Sequence, residues 1–504
     1  METRMSTNFT SDQWVALHAS RQADKVALQD ERVSLSYARL NELVGQRASL
    51  LAEAGVRSGD AVGLLGSPTL EWAVAYLAIS RAGGVPVGLN YRETPQCISD
   101  QMRSAGAAFV FHDAARREHI QVPDAVCMQL EAVLQVPPGT REAKTRPVDG
   151  ADIGVILYTG GTTGSSKGVE LTHENLLWNV LNEISAGELT PADRVVIATA
   201  LHHSAALNTW LLPHLYLGAT AILMGDFDPR RWIDMMVRFK ATNSFTPPTM
   251  IRQILDAARP GDDWSSFTKW FSGAGILSHS DREEMTALCP GLRIYYQYGL
   301  TEAGPIVTCQ GPDEYALNPR SLGRVVRHFE AKVLNDKGEK AALGEVGELV
   351  VRGPSVMRGY FRKPEATGKV LRDGWLHTGD LVMEDEHGCL TFHDRAKDMI
   401  KTGGLNVFSQ EVEAALAGHP AVSEVAVIGL PDARWGERVV AVVSLKAGSS
   451  ATEQDIADHG RQRLAGYQVP KQVIFMPVSE VPKNYLGKTL KQDLKALLRD
   501  SAAA

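Results

Sequence analysis

The sequence predicts a multidomain α/β protein: a large N-terminal domain of doubly wound α/β subdomains with a small β-rich lobe, then a small α+β C-terminal domain. Three observations carry this. Short apolar runs alternate with amphipathic helical segments as far as Thr246, the rhythm of strand–helix–strand units around parallel sheets. After Ser321 short strands separated by Gly-rich turns take over. Beyond Arg395 a fresh set of helices and strands begins, enough for a separate small domain.

Along the chain, Leu40, Leu43, Val44, Leu50 and Leu51 recur at helical spacing over 37–55, with Gly55 where a left-handed cap belongs. Residues 61–65 read as a buried strand. Ser67-Pro68 supply cap and first-turn chemistry for an apolar helix that stops at Gly83-Gly84, and 85–89 is the next strand. Further strands are predicted at 107–111, 194–200, 220–223 and 242–246, then at 331–334, 348–351 and 389–393 in the β-rich part. The last region holds helices at 410–416 and 453–464 and strands at 425–428, 439–445 and 473–475, with a frayed tail over 501–504. A boundary at 394–397 gives domains 1–394 and 395–504.

Composition excludes several functions. The 504 residues carry 52 basic and 59 acidic side chains, a net charge of −7, without the broad cationic excess that nucleic-acid binding needs. At 44% hydrophobic and 22% charged the chain has a globular composition. Cys97, Cys127, Cys289, Cys309 and Cys389 are scattered without a C-x-x-C pair, which argues against a disulfide framework or structural zinc and fits a reducing cytoplasm. No signal peptide is expected. Nor is a transmembrane segment, because Arg81 and Gly83-Gly84 interrupt the longest apolar stretch, 72–89.

The segment Tyr158-Thr159-Gly160-Gly161-Thr162-Thr163-Gly164-Ser165-Ser166-Lys167-Gly168 has the composition of a phosphate cradle: glycines for close backbone approach, hydroxyl donors and a mobile cation. Its spacing is not that of a Walker P-loop, and composition alone suits a flexible loop equally well.

With Tyr298-Gly299-Leu300-Thr301-Glu302 the sequence resembles the adenylate-forming superfamily of acyl-CoA synthetases, firefly luciferase and nonribosomal adenylation domains. The resemblance spans nearly the whole chain. It includes Gly273-Ala274-Gly275, Gly359-Tyr360-Phe361, Gly374-Trp375-Leu376-His377-Thr378-Gly379-Asp380, Asp394-Arg395-Ala396-Lys397-Asp398, Lys401-Thr402-Gly403-Gly404 and Pro482-Lys483-Asn484-Tyr485-Leu486-Gly487-Lys488. Each pattern alone is weak; their common order is specific.

The resemblance implies ATP, Mg²⁺ and coenzyme A as the reaction's partners. ATP or AMP would be held by Thr159, Gly161, Thr162, Thr163, Gly164, Lys167, Gly273, Ala274, Gly275, Gln297, Tyr298 and Gly299, with Thr301 donating to the α-phosphate. Glu302 would bind the metal, and Asp380 and Arg395 the ribose hydroxyls. Lys488 would bridge the attacking carboxylate and the α-phosphate. The small domain would be a mobile lid turning about a hinge at Lys397, so that Lys401, Gly403, Gly404 and Trp435 meet coenzyme A. Standing alone, Asp380 would read as a turn carboxylate, Tyr298 as a core aromatic and Lys488 as a solvated lysine; Trp435 suits coenzyme packing and gap filling equally.

His203 matches the family histidine beside the substrate carboxylate, and with Ser204, Asn208, Phe245, Gly273 and Gly299 would form the acyl pocket. These segments are largely apolar and hold no evident Arg or Lys for a second carboxylate, which favours an apolar monocarboxylic acid, fatty or aryl. Four positions depart from the pattern. Gly160 replaces Ser, an expected weakening of ATP binding, while Ala200, His202 and Leu405 replace Pro, an aromatic residue and Glu. The leading reading is an ATP-dependent carboxylate–CoA ligase. Loading of an acyl carrier protein and a silent nucleotide-binding paralogue are the alternatives, and a symmetric homodimer is the default assembly.

Overall fold

The computed structural model describes residues 10–144, 148–159, 166–483 and 489–503. They fall into two compact units, one of the described residues up to 159 with 166–331 and 351–376, the other of 332–350 and 377–503.

The first unit contains two large sheets. One runs in the order Arg324–Val325, Ile306–Gln310, Arg293–Gly299, Lys269–Gly273, Asn243–Phe245, Arg194–Ile197, Thr220–Leu223, Val26–Gln29 and Ser34–Ser36. The strands from Arg293–Gly299 to Val26–Gln29 are parallel, with antiparallel strands at both edges. The other runs Gly359–Tyr360, Lys167–Thr172, Ile153–Thr159, Val85–Leu89, Ala61–Leu65, Phe109–His112 and Val126–Gln129. Parallel strands need helical crossovers that cover both faces, which is why Ala61–Leu65 and Val85–Leu89 read as unbroken apolar runs and are buried throughout.

Two local expectations are corrected. The helix expected at Ser67-Pro68 begins at Leu70, where Thr69 Oγ1 accepts the Trp72 N–H. Ser67 is engaged elsewhere: its N–H donates to Asp113 and its hydroxyl to Asp226. The strand expected from residue 107 starts at Phe109, because the Ala107 N–H bonds Met102 O and closes the preceding helix. Arg81, which interrupts the apolar stretch 72–89, is buried in its helix. Its guanidinium meets Asp12 Oδ2 at 3.1 Å and the Asn41 carbonyl at 2.9 Å, satisfying a charge that would otherwise be too costly inside.

A five-stranded sheet, most of whose residues belong to the second unit, runs Glu330–Leu334, Val346–Arg352, Trp375–Glu384 and Leu371–Arg372, with Leu390–Arg395 beside Trp375–Glu384. The second unit also contains Leu405–Val407, Ile400–Thr402, Gly436–Leu445 and Val422–Asp432 in one sheet, with Gln472–Phe475 parallel to Gly436–Leu445. Val412, Leu416 and Ile456, from helices Ser409–Ala417 and Glu453–Arg461, share one core cluster, and Leu494 of helix Lys491–Ala503 packs with Ile428 and Val440 in another. The tail expected to fray keeps helical backbone through Ala503. Among the described residues, no helix is long and apolar enough to cross a membrane.

Candidate active site

In the first unit the chemistry gathers where strand Arg293–Gly299 ends. Gly299 turns the chain so tightly that a Cβ there would lie 1.9 Å from Pro305 O; no other residue fits. This turn presents Thr301 and Glu302. Ser204 and Thr301 share a hydroxyl hydrogen bond of 2.8 Å, and Glu302 Oε1 accepts the Tyr360 O–H at 2.7 Å. Lys167 Nζ stands 4.9 Å from the centre of the Tyr360 ring. Burial, with Glu302 adding to it, pushes the Tyr360 phenol well above its ordinary range, so it remains a donor. A hydroxyl, a carboxylate and an ammonium from three distant segments thus form one polar chain.

Tyr296 and Tyr298 leave this strand on one face, and Tyr295, Gln297 and Gly299 on the other. The Tyr296 hydroxyl donates to Gly275 O at 2.7 Å. Next to Gly275, Ala274 holds φ +61°, a left-handed conformation that costs a non-glycine residue about 1–2 kcal/mol. Gln297 was expected at the nucleotide. Its side chain instead points to the face opposite Tyr298 because strand residues alternate, and its Nε2 donates to Glu183 Oε1 at 2.8 Å.

His203 and the buried His202 sit with ring centres 4.1 Å apart. Burial, aided by the nearby Arg92 charge, holds His203 down to about 3 and His202 well below its ordinary value, so both imidazoles are neutral at physiological pH. Asn208 lies in a π-helical turn, Leu207–Leu211, where the Leu212 N–H reaches back to Leu207 O; Pro213 follows and has no N–H to continue an α-helical ladder. Asn208 Nδ2 donates to Gly304 O, and Phe245 stacks on Trp210 with ring centres 5.7 Å apart. Thr159 Oγ1 donates to Lys167 O at 3.5 Å. Gly160, Gly161, Thr162, Thr163, Gly164 and Ser165 lie outside the described residues, as does Lys488.

In the second unit, antiparallel pairing sets Asp380 opposite Arg395, with Nε and Oδ1 3.3 Å apart; the carboxylate is buried and the guanidinium half-exposed. Asp394 accepts from both the N–H and the hydroxyl of Ser409, and Lys491 donates to Ser409 Oγ at 2.6 Å and pairs with Glu413 at 2.7 Å. Gln492 Nε2 donates to Asp398 Oδ1 at 3.0 Å, one residue beyond Lys397. Gly403 and Gly404, at φ +58° and +82°, form a two-residue hairpin turn that needs two left-handed positions. The Gly403 N–H donates to Trp435 O, and a Cβ on Gly403 would press within 3.0 Å of the Trp435 ring. That indole is 39% exposed, enough to offer a face, and Arg434 lies over it. The Lys401 N–H donates to Glu437, and the Leu405 side chain is exposed.

Residues 15–361 match the AMP-binding enzyme family and 411–488 the AMP-binding enzyme C-terminal domain. The chain belongs to the AMP-binding enzyme family. With full-length relatives that are CoA ligases, it is an AMP-forming acid–thiol ligase. A feruloyl-CoA synthase from Amycolatopsis is 36% identical over 490 residues, spanning 96% of this chain and 98% of its own. An indoleacetate–CoA ligase from Aromatoleum aromaticum is 32% identical over 509 residues, spanning 96% and 98%. The crystal structure of ATP-bound MatB from Rhodopseudomonas palustris superposes with a TM-score of 0.87 at 30% identity, covering 98% of this chain and 99% of that one.

Sequence reasoning missed Glu183 in this AMP-binding enzyme. It lies on helix His173–Ala186 one turn after Asn179, which accepts the Ile306 N–H and donates to Asn208 O. Two polar residues at i and i+4 among the buried apolar positions Leu176 and Val180 were the available signal.

Proposed function

We propose that this enzyme condenses an aryl monocarboxylic acid with ATP to an acyl-adenylate, releases pyrophosphate, and passes the acyl group to the thiol of coenzyme A. The observation that carries it is the polar chain Ser204–Thr301, Glu302–Tyr360 and Lys167, which sets donors and a cation beside a carboxylate at the carboxyl end of a parallel sheet, where α/β folds bind ligands. Full-length likeness to ligases of two aryl acids supports the aryl choice.

Displacement at the α-phosphorus needs positioning and charge neutralisation rather than a protein nucleophile. Thr301 donates to the α-phosphate and Lys167 offers its ammonium to the phosphate tail. Tyr298 lies against the adenine in the turn that includes Gly273, Ala274 and Gly275, with Gly299 leaving room for the acid. Asp380 and Arg395 supply the acceptor and donor that a ribose diol requires. His203, neutral, gives the acid carboxylate a hydrogen bond without adding a charge. Lys488 neutralises the attacking carboxylate and the α-phosphate together. Lys397 is the hinge of a lid, 395–504, whose other face brings Lys401, Gly403, Gly404 and Trp435 to coenzyme A. Glu302 fits Mg²⁺: one oxygen accepts from Tyr360, and a single hard carboxylate suits a cation held mainly by substrate phosphates. When bound, the ion supplies charge neutralisation at the phosphates.

The test is AMP and pyrophosphate release across fatty and aryl acids with and without coenzyme A. Turnover that requires coenzyme A is expected; release that stalls after one equivalent in its presence would point to a carrier-protein acceptor and overturn the proposed acceptor. Glu302→Gln keeps the shape and removes the charge. Its kcat for adenylate formation should fall about a hundredfold, in line with the loss of one preorganised electrostatic contact, and its Mg²⁺ requirement should rise.

A further inference from the structure

The face of strand Arg293–Gly299 that carries Gln297 and Gly299 is also the face of Phe271 and Gly273 on the neighbouring strand, since Gln297 pairs with Gly273 and Tyr295 with Phe271. Aromatic rings build its wall. Phe271 lies 4.7 Å from Tyr295 and 4.5 Å from Trp210, which in turn stacks on Phe245. Helix His173–Ala186 closes this side, for a Cβ on the adjoining Gly187 would come within 2.9 Å of the Phe271 ring. Glu183 leaves that helix fully buried. Its Oε1 accepts from Gln297, while its Oε2 has no hydrogen-bond partner among the described residues. Asn208 is in the same condition: it is fully buried, its amide nitrogen engaged with Gly304 O and its Oδ1 without a partner among the described residues. Asn179 links the two positions, bonded to Asn208 O and standing one helical turn before Glu183.

A natural core rarely leaves a buried carboxyl oxygen and a buried amide oxygen unmatched beside one aromatic wall. Such groups are satisfied where a ligand completes them. We infer that Glu183, backed by Gln297, forms a polar floor to the acyl pocket and, with Asn208, selects aryl acids that carry a hydroxyl at the end of the ring remote from the carboxylate. This rests on the proposed reading of the site as an acyl pocket. The aromatic wall takes the ring. Asn208 Oδ1 requires a partner that donates and the protonated Glu183 Oε2 one that accepts; a phenolic hydroxyl does both and an unsubstituted ring edge does neither. Burial pushes the Glu183 carboxyl up to about 8, with the Gln297 hydrogen bond opposing that, so at neutral pH it keeps its proton and can also donate to the phenol oxygen. A site built to hydrogen-bond a substrate hydroxyl discriminates strongly against the analogue without it, because its own buried groups are then left unpaired.

The test compares kcat/KM for a matched pair, 4-hydroxycinnamate and cinnamate, in the parent, in the isosteric Glu183→Gln and in Glu183→Met. The parent should prefer the hydroxylated acid at least about tenfold. The ratio should collapse to near one in Glu183→Met and fall to an intermediate value in Glu183→Gln, which retains a hydrogen-bonding end. A merely structural role would lower both substrates together and leave the ratio standing. A parent ratio near one, or a ratio that neither variant moves, overturns the inference. Pyrophosphate release with fatty acids but with no aryl acid overturns it while the ligase reading survives; no release with any acid overturns both.

Discussion

Lys488→Ala should lose adenylate formation about a thousandfold, while thioester formation from supplied acyl-adenylate and coenzyme A stays within about threefold of the parent. The size follows from the proposed role: removing a cation that acts at both reacting anions forfeits about 4 kcal/mol of transition-state stabilisation, at 1.36 kcal/mol per tenfold. The selectivity follows from where the lysine is carried. Lys488 lies outside the described residues, but the chain on either side of its segment is pinned to the second unit. Lys483 and Thr489 form an antiparallel bridge, the Leu490 N–H bonds Pro482 O, and Lys491 is held by Ser409 and Glu413. On the proposed reading, in which residues 395–504 turn as a lid, a lysine so carried would act in one orientation and stand away in the other. Pyrophosphate release and acyl-CoA formation, measured separately, decide the matter; equal losses in both half-reactions would refute the division of labour.

Lys397→Pro should produce the converse: thioester formation falls at least about a hundredfold and adenylate formation stays within a few-fold. Its neighbours are already tied. The Ala396 N–H bonds Gly379 O, and the N–H groups of Asp398 and Met399 both bond Arg395 O. Proline at 397 fixes φ near −65° and pushes residue 396 towards extended backbone, removing the freedom a hinge needs. Retained adenylation is the internal control for folding. Thioester formation at the parent's rate would show that the hinge lies elsewhere.

Much of this molecule is legible from its residues. The parallel strands Ala61–Leu65 and Val85–Leu89 announce themselves because burial on both faces demands continuous apolar runs. Element ends were less legible, because a cap is chosen by competition. Ser67 had cap chemistry, yet Asp113 and Asp226 captured it and Thr69 took its place. That Arg81 could be buried in its helix was not legible, because its partner, Asp12, lies 69 residues away in sequence.

The site divides in the same way. The resemblance assigns Thr301, Glu302, Asp380 and Arg395 their proposed roles because each lies in a short local motif. That Gln297 turns away from Tyr298, and that it meets a buried Glu183 beside an aromatic wall, follows from strand pleating and helix packing between residues more than a hundred positions apart. Sequence by itself determined the reaction class, since the motifs that carry the resemblance are local in the chain and their common order is specific. The tertiary structure alone decided which groups share the Gln297 face of strand Arg293–Gly299, because the polarity of a buried face is set by side chains that distant segments bring together and burial then strips of water.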